Sequence, residues 1–121
     1  MFKNLNNILY IDLSHFDSSK ISDMSYMLHE CNSLNSLNLN NLETSKVTDM
    51  WAMFYHCNSL ISLNVNSFDT SNVTNMQDMF QRCNSLISLN LNSFNTSKVT
   101  TMDYIFTNCY SYLIIKQKQM Q

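Results

Sequence analysis

The 121-residue chain has no glycine and no proline, a net charge of −2 and only 13% charged residues. Its cations Lys3, Lys20, Lys46, Arg82 and Lys98 are scattered among acids and only Lys116 and Lys118 cluster, which excludes the basic stripe of a nucleic-acid binder. No apolar run reaches membrane-spanning length, and the turns fall to Asn, Asp, Ser and Thr, whose short polar side chains bond nearby backbone.

The first residues, Met1-Phe2-Lys3-Asn4-Leu5-Asn6-Asn7, lack the uninterrupted apolar stretch of a signal peptide, and no anchor is present. Two compartments stay open: a cell surface if the chain is a piece of a longer exported protein, and otherwise an intracellular one. Repetition begins at once. Cys31, Cys57, Cys83 and Cys109 stand 26 residues apart, the first three within the phrases Met27-Leu28-His29-Glu30-Cys31, Met53-Phe54-Tyr55-His56-Cys57 and Met79-Phe80-Gln81-Arg82-Cys83. Self-superposition gives units 1–26, 27–52, 53–78 and 79–104, a partial unit 105–115, and a polar C-terminal tail 116–121. A fixed period of this size is the signature of a solenoid or array, here a single domain over 1–115.

Each unit holds two apolar patterns. The first is Ile8/Ile11/Leu13, then Leu34/Leu37/Leu39, Leu60/Leu63/Val65 and Leu86/Leu89/Leu91, whose final alternation predicts a short strand with one buried face. The second is Val47, Met50, Met53, Phe54 and Cys57, with equivalents Val73, Met76, Met79, Phe80 and Cys83. Its spacing predicts a short helix, started by Ser45 or Thr48 and their equivalents with Asp49 in the first turn. Between them, Phe68-Asp69-Thr70-Ser71 and Phe94-Asn95-Thr96-Ser97 place an aromatic inward and turn on the polar triplet. The expected architecture is an α/β repeat solenoid, with parallel strands and short helices stacked over about four and a half units. At the C-terminal end Gln117 enters a column that is apolar in every other unit. At the N-terminal end Ile8, Ile11, Leu13 and Phe16 have nothing stacked beyond them, which marks an assembly end that a partner or a second copy would cover.

The phrase Phe68-Asp69-Thr70-Ser71-Asn72-Val73-Thr74-Asn75-Met76, followed by Met79-Phe80-x-x-Cys83-x-Ser85-Leu86-x-x-Leu89-x-Leu91, resembles the BspA-like leucine-rich repeat family. The match recurs in every unit. The resemblance implies a right-handed leucine-rich solenoid of the surface-protein or lipoprotein type, with adhesion or protein binding as its role and no catalytic residues to carry over. One departure stands out. The family usually has glycine just before the cysteine, and here that place holds Glu30, His56, Arg82 and Asn108.

Little in the chain suggests chemistry. Zinc ligands converge, whereas these cysteines run in single file, one per unit, and equivalent side chains in a stack sit too far apart for disulfides. A reduced core ladder is expected, with no metal and no cofactor. His15, His29 and His56 fall in three different columns, and no paired acids or nucleophile arrangement is present. The outward strand positions Asn38, Asn40, Asn64, Asn66, Asn90 and Asn92 make a nearly uncharged face, read either as a ligand face or as amides bonding along the stack. The outer arm offers Trp51, Tyr55, His56 and Arg82, with Tyr26, His29 and Tyr104. These vary between units, as recognition residues do. The expected function is a non-enzymatic, protein-binding scaffold, with the adhesin-like surface recognition that the family resemblance implies. The alternative is a structural building block joined through its ends, and a third reading is a polar array that binds sugars or ordered water through the Asn face. No nucleic-acid partner and no membrane insertion are expected.

Overall fold

The first apolar pattern of each unit forms a strand, as its alternation requires. In the computed structural model, which describes residues 1–110 and 112–117, these are β1 (Tyr10–Asp12), β2 (Ser36–Asn38), β3 (Ser62–Leu63), β4 (Ser88–Asn90) and β5 (Ile114–Lys116). All pairs are parallel and offset by one repeat: Ile11 lies beside Leu37, Leu63 beside Leu89, and Leu89 beside Ile115. In-register pairing sets chemically equivalent side chains next to one another, so each apolar position continues as a column. The strands divide into two sheets, β1-β2 and β3-β4-β5.

The second pattern does not form the expected helix. Among the described residues there is no helix at all. Residues 47–57 and their equivalents instead make a succession of tight turns. Met53 N–H donates to Met50 and Cys57 N–H to Phe54, each three residues back, while the N–H groups of Met50, Ala52, Phe54 and His56 leave the unit for the carbonyls of Asn75, Gln77, Met79 and Gln81. A helix would keep those donors for its own carbonyls. The turns are made possible by a left-handed residue every fourth position: Ala52 (φ 53°) and His56 (φ 60°), with Tyr26, Glu30, Asp78, Arg82, Tyr104 and Asn108 in the same two columns. Spacings of three and four thus bury one face of a turn ladder as well as they would one face of a helix. The expected cap residues act between units: Thr74 donates both its N–H (2.9 Å) and its hydroxyl (3.2 Å) to the Thr48 carbonyl. This arm is continuous, with bridges Asp23–Asp49, Asp49–Asn75 and Asn75–Thr101, and it crosses the place where the sheet divides.

The core is the set of columns. Over one period from Leu60, the residues Leu60, Leu63, Val65, Phe68, Val73, Met76, Met79, Phe80 and Cys83 are all buried, each worth roughly 1–3 kcal/mol of transfer free energy and largely offset by chain entropy. Phe54, Phe80 and Phe106 stack nearly parallel at 5.6 and 5.8 Å between centroids, and Phe68 lies 6.3 Å from Phe94. The cysteines are free. Each thiol donates to the carbonyl 29 residues back in the preceding unit: Cys31 to Phe2, Cys57 to Leu28, Cys83 to Phe54 and Cys109 to Phe80, at 3.0–3.1 Å. Burial pushes the Cys83 thiol up to about 12.

At the C-terminal end Lys116, the first residue of the expected polar tail, closes β5, pairs with Asn90, and its carbonyl accepts the Leu91 N–H at 2.7 Å. Strand pairing uses backbone, so an outward lysine does not interrupt it. Gln117 is exposed, and residues 118–121 lie outside the described residues. At the other end, unit one is partly covered by the chain itself. Phe2 N–H donates to Met27 at 2.7 Å, the Phe2 ring meets Phe16 edge-on at 5.7 Å, and Phe2 and Leu5 pack on the core. Leu13 is buried, Ile11 and Phe16 are half-buried, and Ile8 stays 40% exposed, whereas Leu34 and Leu60 in its column are at 0%.

Candidate binding surfaces

The strand face is built from turn chemistry. The side-chain oxygens of Asn38, Asn64 and Asn90 accept the backbone N–H of Asn40, Asn66 and Asn92, at 2.9–3.0 Å, and Asp12 does the same for Ser14. These are Asx turns that close each strand, so the amide oxygens are engaged in holding the corner. The face carries a shallow depression of about 200 Å³ lined by Ser62, Asn64, Asn66, Ser88 and Asn90 with the edge of Leu63. Beside the strands, Ile61 and Ile87 are more than half exposed. Sequence reading passed over these isoleucines, although each breaks the polar side of its strand directly after a buried leucine. Another groove, about 400 Å³, runs along the corner past Glu43, Ser67 and Asp69.

The outer arm is where the structure gathers unlike residues. Tyr26, His29, Trp51, Tyr55 and His56 form one continuous aromatic group across two neighbouring turn ladders, 21–31 and 47–57. The Trp51 indole lies 4.9 Å from the Tyr26 ring; Tyr26 meets His29 edge-on at 5.2 Å; His29 stacks on Tyr55 at 4.7 Å and 9°; and Tyr55 meets His56 at 6.1 Å. The group exists because the aromatics stand at or beside the left-handed positions of the turns: Tyr26 and His56 hold two of these positions, and His29, Trp51 and Tyr55 directly precede Glu30, Ala52 and His56. Trp51 reaches further. Its Nε1–H donates to Asp78 Oδ2 at 3.1 Å, and its backbone N–H donates to Asp49 Oδ1 at 2.9 Å. Tyr26, Ala52 and Asp78 succeed one another in a single column, and the small Ala52 leaves room for the indole between its neighbours. Trp51 remains 36% exposed.

Electrostatics follow from this packing. Burial raises the Tyr26 phenol, and the Asp78 and Asp49 carboxylates add to the shift. Burial against the ring stack lowers the His29 imidazole. Arg82 lies in the His56 column one unit on; it is exposed, has a left-handed backbone (φ 63°) and makes no ring contact with the group. Tyr104, also exposed, stands two units beyond Ala52 in the Tyr26 column. Of the arm residues expected from sequence, the structure therefore unites Trp51, Tyr55 and His56 and leaves Arg82 apart. It adds Asp78, which sequence reading did not single out because the pairing joins positions 27 residues apart in neighbouring columns. The positions before the cysteines, usually glycine in the resembling family, are left-handed here as well: Glu30, His56, Arg82 and Asn108 have φ of 58–63°.

Among the described residues, no group of three or more His, Cys, Asp or Glu side chains is placed to hold a metal ion, and no helix is long and apolar enough to cross a membrane. Neither a curated protein nor a solved structure matches the chain. The family described as Mycoplasma protein of unknown function, DUF285, matches residues 1–117. With that match spanning nearly all of its repeat units, the chain belongs to the DUF285 family, a BspA-like repeat family.

Proposed function

We propose that this chain is a non-enzymatic leucine-rich-repeat solenoid that binds a partner protein, in the manner of an adhesin-like surface, through its outer arm. One observation carries the reading: the partly exposed aromatic group of Tyr26, Trp51, Tyr55, His29 and His56 gathers in columns that vary from unit to unit, beside core columns that repeat. Clustered Trp and Tyr with partly exposed faces are the residues that most often dominate a protein interface. The strand face is the weaker candidate, because its amide oxygens already serve the corners. Repetition also works against catalysis, which needs unlike groups with differently tuned protonation.

The test is panning of a random peptide library against the folded chain. Selected peptides are expected to lose binding to the Trp51→Ala and Tyr55→Ala variants and to keep it with Asn64→Lys/Asn90→Lys. The reverse pattern would move the site to the strand face.

A second reading, a building block joined through the N-terminal end, draws on Ile8, whose exposure contrasts with the buried leucines of its column. Light scattering over a concentration series separates the two. A species that grows with concentration and disperses in Ile11→Lys supports assembly, and a monomer throughout removes it.

A further inference from the structure

Resting on the outer-arm reading above, we infer that the Tyr26–Trp51 aromatic pair, with the carboxylates of Asp49 and Asp78, is a subsite for an arginine side chain of the partner protein. Trp51 and Tyr26 contact each other at a 53° tilt and present partly exposed faces. Both acids are tied to Trp51, through its backbone N–H and its indole N–H, so they are held beside those faces. Each carboxylate uses one oxygen in this way, and neither makes an ion pair among the described residues. A guanidinium is the group that uses both features at once. It stacks flat on an aromatic face and directs a fork of N–H donors to carboxylate oxygens, whereas an ammonium offers a strongly hydrated point charge. The nearest charges agree in sign: the pair is flanked by Asp49 and Asp78, with Asp23 and Asp103 elsewhere on the arm, while the cations Lys20, Lys46 and Lys98 stand at the arm's start and Arg82 makes no ring contact with the group. That field attracts a basic segment and repels an acidic one.

The experiment titrates the folded chain with a fluorescein-labelled hexa-arginine peptide, following anisotropy, with hexa-lysine and hexa-glutamate peptides alongside. In parallel, unlabelled N-acetyl-arginine amide is titrated while the indole N–H resonance of Trp51, the chain's one tryptophan, is followed by NMR. Saturable binding of hexa-arginine, weaker binding of hexa-lysine, none of hexa-glutamate, and a saturable shift of the indole resonance are expected. Asp49→Asn and Asp78→Asn, which keep an acceptor for each Trp51 N–H, are each expected to weaken binding by about two- to five-fold, in the range of exposed ion pairs. The distal substitutions Asp17→Asn and Asp69→Asn, made singly, change net charge by the same one unit and are expected to have no effect beyond general screening. Equal binding of hexa-lysine, equal losses from the distal substitutions, or an unmoved indole resonance would overturn the inference. If these fail while panned peptides still depend on Trp51 and Tyr55, the arm remains a binding surface and only the arginine subsite falls. If panned peptides ignore Trp51 and Tyr55, both readings fall.

Discussion

The hydroxyl of Thr70 donates to the carbonyl of Asn95 at 3.0 Å and accepts the N–H of the same residue at 2.8 Å. Thr44 makes the identical pair with Asp69 at 3.0 and 2.8 Å, and Ser18 accepts the Glu43 N–H. Ser18, Thr44, Thr70 and Thr96 are all buried. What reads in sequence as a polar turn residue is therefore a clamp, binding each unit to the next at the corner.

Replacing Thr70 by valine keeps the volume but removes the partner of the part-buried Asn95 N–H and carbonyl. The expected cost is about 1–3 kcal/mol, seen as a lower urea midpoint at unchanged slope, while Thr70→Ser stays near wild type. A midpoint unmoved in the valine variant would show that water or a rearranged corner satisfies Asn95.

The left-handed positions make a prediction of opposite sign. Arg82 holds φ 63° with a Cβ present, a conformation that costs an L-residue roughly 1–2 kcal/mol, against a glycine entropy cost of roughly 0.5–1 kcal/mol. Arg82→Gly is expected to raise the thermal midpoint and Arg82→Val to lower it. Because the site is exposed and repeats in every unit, the strain belongs to the scaffold, and the same order is expected at Glu30.

The thiol column links stability to pH. In the folded chain Cys83 is pushed to about 12 by burial, with Cys109 adding to the shift, and Cys57 moves the same way, by burial first and then by Cys83 and Cys31. The unfolded thiol titrates near 8.5. The folded state thus keeps protons that the unfolded state gives up, so stability is full below about pH 8.5 and falls as pH rises toward 12. Cys83→Ser retains a donor for the Phe54 carbonyl and is expected to flatten that decline in urea titrations at pH 7 to 11. Iodoacetamide is expected to label Cys109, which is half-buried, before Cys57 and Cys83; labelling of all four at one rate would mean that the stack opens as a whole instead of from its end.

How far the sequence carried the structure depends on the residue. The strands and the columns were legible because burial in a 26-residue repeat is periodic: Leu37, Leu63 and Leu89 fall inward wherever a short strand is drawn through them. The turn ladder was not, because Val47, Met50, Met53, Phe54 and Cys57 satisfy a helical face and a chain of three-residue turns equally, and the choice rests on where the N–H groups of Met50, Ala52, Phe54 and His56 find acceptors. Those acceptors belong to the next unit. The aromatic group was half legible: Trp51, Tyr55 and His56 announced themselves by varying in a repeated frame, but Asp78 and the exposed Ile61 and Ile87 did not.

By itself the sequence determined the period, the parallel and equivalent stacking of units, and the identity of the buried columns, since a regular apolar pattern has one economical way to leave water. The tertiary structure decided how the second arm is made, which polar residues are interior, and which surface residues meet. Hydrogen-bond partners and side-chain neighbours in a stacked repeat lie 25 to 29 residues away, and a contact at that range is selected by the competition among whole-chain arrangements, not by the local residues that make it.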